Sequence, residues 1–181
     1  LVPESRNFQI EVISSEGPEF VSRGGLKLLA ALQRANVFKV QGCTVLDLGI
    51  STGGFTVCLL QAGASRVVGV DVGHGQLADK LRKDQRVTLL EGLNARDASR
   101  EGSDVRAKIL AENGGRLCHI VIDVSFISLK MILPAAAALL QPSGQIMALV
   151  KPQFEVGREG LGKNGVVKDV SLYPQVQLGI S

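Results

Sequence analysis

Residues 45–55 decide the fold, and their sequence is Val45-Leu46-Asp47-Leu48-Gly49-Ile50-Ser51-Thr52-Gly53-Gly54-Phe55. The first four residues form a short, mainly apolar run that predicts a buried strand, and the glycines after it predict a tight turn into a helix. An α/β protein presents a nucleotide-like cofactor on such a turn, because glycine lets the backbone approach the ligand closely. The spacing differs from Gly-x-Gly-x-x-Gly, so the turn alone does not specify a dinucleotide.

Strand and helix patterns alternate on both sides of this turn. Helices are predicted for residues 25–36, 55–62, 76–83 and 128–140, the last interrupted by Pro134, and strands for residues 44–48, 66–70, 87–90, 118–122 and 145–150. The strands are apolar runs without regular polar alternation, which is typical of strands covered on both faces. This arrangement predicts an α/β fold with a doubly wound, mainly parallel sheet. Residues 1–19 predict a linker or a short preceding element, and the domain is expected over residues 20–181.

Composition limits the class of protein. The 181 residues are 45% hydrophobic and 20% charged, which indicates one globular domain. No apolar run approaches the roughly 18 residues of a membrane span, so no membrane partner is expected. The three cysteines (Cys43, Cys58 and Cys118) have neither disulfide nor zinc spacing. They are expected to be small buried hydrophobes in a reducing cytoplasm, with no metal bound.

Charged residues stand at the ends of four predicted strands. These residues are Asp47, Asp71, Asp123 and Lys151. A single acid at such a position could equally cap the following helix, whereas four charged groups at one edge predict a site, because open α/β sheets bind ligands there. Asp71 follows the glycine-rich turn by about 20 residues, as expected of an acid that binds a ribose diol.

The cofactor indicated by these residues is S-adenosylmethionine or a dinucleotide. S-adenosylmethionine is favoured, because the Asp47 carboxylate would attract a cationic aminoacyl group and repel a pyrophosphate. Asn94 is expected to contact an adenine edge, although an Asn in a loop is also a common turn former. The residues expected to bind the cofactor are Asp47, Gly49, Ser51, Thr52, Gly53, Gly54, Phe55, Asp71, Val72, Asn94 and Asp123.

Five ordered motifs resemble one protein family. They are FVSRGGLKL at 20–28, LDLGISTGGF at 46–55, VDVGHGQL at 70–77, IDVSFIS at 122–128 and VKPQFE at 150–155. They resemble the TlyA family, ribosomal RNA 2′-O-methyltransferases that also carry the name haemolysin A, within the FtsJ-like (RrmJ-type) methyltransferases. The resemblance runs from about Phe20 to Asp169. It implies a Rossmann-like methyltransferase fold, S-adenosylmethionine as cofactor with S-adenosylhomocysteine as product, and ribosomal RNA or a ribosomal subunit as partner.

FtsJ-like enzymes carry a Lys-Asp-Lys-Glu tetrad, and the resemblance assigns its first three members to Lys27, Asp123 and Lys151. A ribose hydroxyl is a poor nucleophile, so a neutral lysine that accepts its proton assists the reaction. Lys151 is the expected base. Lys27 is expected either to favour its neutral form or to steer the phosphate–ribose unit, and Asp123 to orient the ammonium near the methyl group. The fourth member is expected on later strands, because Glu155 follows Lys151 too closely. The sheet is therefore expected to be truncated at its C-terminal strands, and the family's N-terminal S4-type RNA-binding domain to be absent.

Two other functions stay open at this stage. A nicotinamide-dependent oxidoreductase would have a similar fold, but Asp47 and the glycine spacing argue against it. A non-catalytic, haemolysin-like cofactor-binding protein would need an amphipathic or spanning segment for lysis, and none is found. RNA binding has modest support from two groups of basic residues. The first group could equally be a solvated helix face, and it consists of Lys80, Arg82, Lys83 and Arg86. The second group could flank the cleft and contact phosphates, and it consists of Arg23, Arg158, Lys163 and Lys168.

Overall fold

The computed structural model describes residues 20–115 and 117–180, so the predicted linker at residues 1–19 lies outside the described residues. Five parallel strands form a sheet in the order β3-β2-β1-β4-β5. They are β1 (Thr44–Leu48), β2 (Arg66–Asp71), β3 (Val87–Glu91), β4 (Leu117–Ile122) and β5 (Leu140–Ala148). This order and direction confirm the predicted doubly wound parallel sheet.

Helices cover both faces of the sheet. The helices are α1 (Gly24–Arg34), α2 (Gly54–Gln61), α3 (Asp79–Arg82), α4 (Asp104–Ala111), α5 (Leu129–Leu139) and α6 (Tyr173–Ile180). On one face, Val45 of β1 packs in a cluster with Leu28 of α1 and Leu59 of α2. On the other face, Leu46 packs in a cluster with side chains of α4 and α5. Successive strand residues point to opposite faces, so burial on both faces explains the uninterrupted apolar runs.

Three helical regions differ between the prediction from the sequence and the structure. The predicted helix at 76–83 is reduced to the single turn α3, because Leu77 packs beside Gly53 and Ala78 keeps an extended backbone. The helix α5 runs through Pro134 without interruption, since its apolar face is buried in the core. The helix α4 was not predicted, because Ile109 is its one fully buried residue and its sequence has little apolar periodicity.

The turn after β1 lies directly against the turn after β4. Gly49 has a φ of +85°, and a Cβ placed on it would lie 2.7 Å from the Asp123 carbonyl oxygen. The Gly49 N–H donates to the Val70 carbonyl at 2.9 Å, and the Asp123 N–H donates to the Leu48 carbonyl at 3.0 Å. Glycine is therefore required here by both conformation and space, and the ends of β1, β2 and β4 meet at one place.

Replacing Gly49 with Ala tests this close approach, with Gly42→Ala as the matched control. Gly42 also has a positive φ, +70°, but no atom lies within 4 Å of the Cβ it would carry. We expect Gly42→Ala to lower the free energy of unfolding by about 1–2 kcal/mol through left-handed strain alone. Gly49→Ala should lower the free energy of unfolding by about 1–3 kcal/mol more than Gly42→Ala does, because its methyl group would also overpack the turn after β4. Urea denaturation measures both losses, and equal losses would contradict the close approach.

Candidate active site

Two adjoining cavities open at the carboxyl edge of the sheet. The larger, cavity A, has a volume of about 380 Å³ and is lined by residues that include Asp71, Val72 and Asn94. The second, cavity B, has a volume of about 320 Å³ and is lined by residues that include Lys27 and Lys151. Both cavities share Gly49, Ser51, Asp123 and Ser125. The turns after β1 and β4 thus form the boundary between them.

Two backbone N–H groups hold the carboxylate of Asp71 on the wall of cavity A. One of its carboxylate oxygens accepts the Ser51 N–H at 2.9 Å, and the other accepts the Gly73 N–H at 2.8 Å. Ser51 has a φ of +47°, unusual for a residue with a side chain, and its hydroxyl donates to Gln76 at 3.1 Å. These bonds join the turns after β1 and β2 and fix the carboxylate beside the cavity.

Asn94 lies on cavity A and also acts as a turn former. Its side-chain oxygen accepts the Arg96 N–H at 3.2 Å and Arg96 Nε at 3.3 Å, so it caps the 3₁₀ turn Ala95–Ser99. Both bonds use the oxygen, and the amide nitrogen keeps its donor capacity for a ligand. The structure therefore shows the turn-forming role, while contact with an adenine stays a prediction.

Lys151 and Asp123 form an ion pair at the boundary of the cavities. The Lys151 Nζ lies 2.7 Å from Asp123 Oδ1, and it donates to the Ser125 hydroxyl at 2.8 Å. The two side chains are only 18% and 22% exposed, so this pair is far more shielded than an ordinary surface pair. The ammonium donates one hydrogen bond, to Ser125, and its contact with Asp123 is an ion pair, so donor capacity remains for a ligand in cavity B.

Lys27 is the second lysine of cavity B. It projects from α1 and is exposed, and it forms no ion pair with any residue among those the structure describes. Arg23 lies one helical turn earlier and lines the same cavity. The three residues that the resemblance assigned to catalysis are therefore brought together, and cavity B carries an excess of positive charge.

The remaining expected cofactor residues divide into two groups. Thr52, Gly54 and Phe55 line cavity B, next to Gly49 and Ser51. Gly53 lines neither cavity. It has a φ of +94°, and the position of its Cβ would overlap the side chain of Leu81. Its glycine requirement is thus explained by packing beneath the turn.

Asp47 lies beneath the turn rather than on a cavity wall. Its side chain is fully buried in β1, and one carboxylate oxygen accepts the Thr56 hydroxyl at 2.7 Å. Burial raises the pKa of the Asp47 carboxyl to about 7, the charges of Asp123 and Asp71 add to this rise, and the bond from Thr56 opposes it. A direct contact between Asp47 and a cationic group stays a prediction.

Two aromatic residues beside the site were missed by the sequence analysis. Phe126 is 92% exposed with a φ of +63°, and it lines cavity A. Its ring centroid lies 5.3 Å from that of Phe154, and Lys151 Nζ lies 6.0 Å from the Phe154 ring. Both residues occur in the quoted motifs, but a single sequence gives no signal that either ring is exposed.

The basic cluster at residues 80–86 is partly neutralised. Arg86 pairs with Asp84 at 2.7 Å, and Arg82 pairs with Glu91 at 3.3 Å. These pairs fit the solvated-surface interpretation, and RNA binding by this cluster stays a prediction. No group of three metal-ligating side chains converges within residues 20–115 and 117–180. In the same ranges, none of the helices has the length and apolar character needed to cross a bilayer.

Comparisons with known proteins place these features in a family context. Residues 20–177 match the FtsJ-like methyltransferase family. The chain is 44% identical over 172 residues to the 16S/23S rRNA (cytidine-2′-O)-methyltransferase TlyA of Mycobacterium tuberculosis, which covers 95% of this chain and 60% of the relative. It is 40% identical over 160 residues to Hemolysin A of Brachyspira hyodysenteriae, which covers 88% and 62%. A solved protein of Streptococcus thermophilus with the hemolysin name has a TM-score of 0.80 and 45% identity, covering 92% of this chain and 57% of that one.

These matches confirm the resemblance and the Rossmann-like methyltransferase fold inferred from the five motifs. The chain spans less than two thirds of the length of each of these relatives. The family match supports the methyltransferase interpretation and argues against the nicotinamide-dependent oxidoreductase.

The raised pKa of Asp47 predicts a pH-dependent effect of Asp47→Asn. In the folded chain this carboxyl keeps its proton up to about pH 7, whereas in the unfolded chain it loses it near pH 3.9 or so. The folded wild type therefore loses stability as the pH rises between these values, and Asp47→Asn does not.

We expect the unfolding free energy of Asp47→Asn to rise relative to wild type as the pH increases from about 5 to about 8. Urea denaturation at several pH values measures the difference. Asp79→Asn, at an exposed acid, is the control and should show no such trend. A difference that stays constant with pH would contradict the raised pKa.

Proposed function

The chain belongs to the FtsJ-like methyltransferase family, and we propose that it transfers a methyl group from S-adenosylmethionine to a ribose 2′-hydroxyl of ribosomal RNA. The observation that carries this proposal is the shielded Lys151–Asp123 pair, which lies where cavity A meets cavity B, with Lys27 in the same cavity. A lysine at this boundary lies beside the place where a methyl donor in cavity A and a hydroxyl in cavity B would meet, as removal of the hydroxyl proton requires.

Cavity A has the chemistry that S-adenosylmethionine requires. Asp71 offers two fixed carboxylate oxygens to a ribose diol, and Leu93 and Ile132 offer apolar surface to an adenine. Gly49 at the boundary leaves the backbone accessible, and Asp123 supplies negative charge there for a cationic ligand. When bound, the cofactor supplies an electrophilic methyl group on a positively charged sulfur.

Lys151 is the proposed general base for the acceptor hydroxyl. As a neutral amine it would keep its N–H bond to Ser125 and turn its lone pair toward cavity B. The lone pair accepts the 2′-hydroxyl proton while the ribose oxygen forms its bond to the methyl carbon and the sulfur–methyl bond breaks. The proton ends on Lys151, and the sulfur leaves as a neutral thioether. Lys27, an exposed cation on the same cavity, stabilises the negative charge that develops on the oxygen.

An RNA acceptor is supported by the charges and the exposed aromatic ring around the cavities. Arg23 and Lys27 present positive charge that suits a phosphate backbone. Phe126 presents an exposed ring on which an unstacked base can rest. The choice of ribosomal RNA follows the name of the Mycobacterium tuberculosis relative. The proposed activity would then take place in the cytoplasm, with the ribosome.

Lys151→Arg tests the role of Lys151 as a base. Arginine keeps the positive charge but cannot lose a proton, so we expect kcat to fall by about 10²–10⁴-fold. Lys108→Arg, at an exposed lysine of α4 that lines neither cavity, is the matched control and should keep its activity. Methyl transfer from radiolabelled S-adenosylmethionine to ribosomal RNA provides the measurement. An arginine variant as active as the control would exclude Lys151 as the base.

Calorimetry tests the cofactor. We expect S-adenosylmethionine to bind the wild type and NAD to give no binding heat. Asp71→Asn should weaken S-adenosylmethionine binding by about 10-fold or more, because it removes a charged acceptor of the ribose diol. Asp79→Asn changes the charge equally at an exposed position away from cavity A and should bind like the wild type. An absence of heat with S-adenosylmethionine would overturn the proposed cofactor.

A further inference from the structure

Two loops that carry site residues are joined to each other at three points. The first loop, residues 123–129, follows β4, and the second, residues 151–155, follows the neighbouring parallel strand β5. The first contact is made by Lys151, which pairs with Asp123 and donates to Ser125, and the second is the aromatic contact between Phe154 and Phe126, all described above. The third contact is made by Glu155, which the sequence analysis could not place in the tetrad.

Glu155 holds the start of α5 with both of its carboxylate oxygens. The Ser128 hydroxyl donates to one oxygen at 2.6 Å, and the Leu129 N–H donates to the other at 2.8 Å. Ser128 is the N-cap of α5, and its oxygen also accepts the Lys130 N–H at 3.2 Å. Because α5 has no acidic residue in its first turn, Glu155 supplies the negative charge that stabilises a helix N-terminus.

This contact ties the Lys151 loop to a rigid element. Within the loop, the Phe154 N–H donates to the Lys151 carbonyl at 2.9 Å, and the Glu155 N–H donates to the Pro152 carbonyl at 3.0 Å. These bonds close the loop on itself and do not fasten it to its surroundings. Glu155 lines neither cavity A nor cavity B, so its position gives it no contact with a ligand in either one.

We propose that Glu155 is a positioning residue for the methyl transfer proposed above, on which this inference rests. Its carboxylate fastens the second loop to α5, and Lys151 therefore keeps its place beside Asp123 and Ser125 while Phe154 keeps its place beside Phe126. A displacement of about 1 Å in such a group can lower a reaction rate about 10²-fold. The loss of this one contact should therefore affect the chemical step more than cofactor binding.

Three variants test the proposal. Glu155→Ala removes both acceptors, and we expect kcat to fall by about 10-fold or more, while the Kd of S-adenosylmethionine stays within about two-fold of wild type. Glu155→Gln keeps an oxygen for the Leu129 N–H and an amide that can donate to Ser128, and it should recover most of the activity. Glu159→Ala removes an equal charge four residues later, at an exposed position, and should behave like wild type.

Two further measurements separate positioning from a general loss of stability. All kcat values are taken well below the melting temperature of each variant, where every variant is folded. Hydrogen–deuterium exchange should become faster in residues 123–129 and 151–155 of Glu155→Ala, and not in Glu159→Ala. Equal kcat values for these two variants would overturn the proposal, as would unchanged exchange in both loops. A wild type that binds the cofactor but methylates no RNA would instead overturn the proposed function. In that case the hydrogen–deuterium exchange data alone would show whether Glu155 holds the second loop in place.

Discussion

The parallel register of β1 with β2 and β4 sets the height of each functional group above the sheet. Leu48 is paired with Val70 on one side and with Ile122 on the other. Gly49 is therefore level with Asp71 and Asp123, and the backbone bonds from Gly49 to Val70 and from Asp123 to Leu48 continue this ladder past the strand ends. A slip of one residue in either pairing would turn these side chains to other faces and separate the two cavities.

The same register explains why the group opposite Asp123 has to be a long side chain. Ile122 pairs with Ala148, and the Leu149 N–H donates to the Ile122 carbonyl, so Leu149 is level with Asp123. Lys151 begins two residues farther out, about 7 Å along an extended chain. Its four-carbon stem reaches back to Asp123 and Ser125 and shields the ammonium from water. This path directs the amine along the boundary of the cavities, where a donor and an acceptor would meet.

Asp47 lies two residues below this level, and its depth changes its chemistry. It follows Leu46, which faces α5, and so its side chain faces α2 and meets Thr56. Burial and the charges of Asp123 and Asp71 disfavour a third carboxylate there, and they raise its pKa to about 7. A proton held by Asp47 lowers the repulsion among the three acids.

Local sequence patterns were enough to predict the parallel sheet and the edge at which the charged residues gather, but not how far each residue lies from its strand end. Asp47 lies within β1, and Lys151 lies three residues beyond β5, which ends at Ala148 and not at the predicted residue 150. The strand β1 was predicted at its observed bounds, because a buried parallel strand is an apolar run that ends at turn-forming glycines. The helix α4 escaped prediction, since most of its residues are not buried and the pattern that marks a helix depends on a buried face.

The contacts between the two loops could not be predicted from local sequence patterns, for a different reason. The partners of Glu155 are Ser128 and Leu129, which lie 27 and 26 residues away in the sequence. They meet because β4 and β5 are neighbours, and no property of either segment alone records that pairing. The depth of Asp47 was hidden in the same way, because register fixes it and composition does not. A strand-end charge in a single sequence therefore indicates the edge at which a site forms, whereas its height on that edge, and so its role, depends on strand pairing.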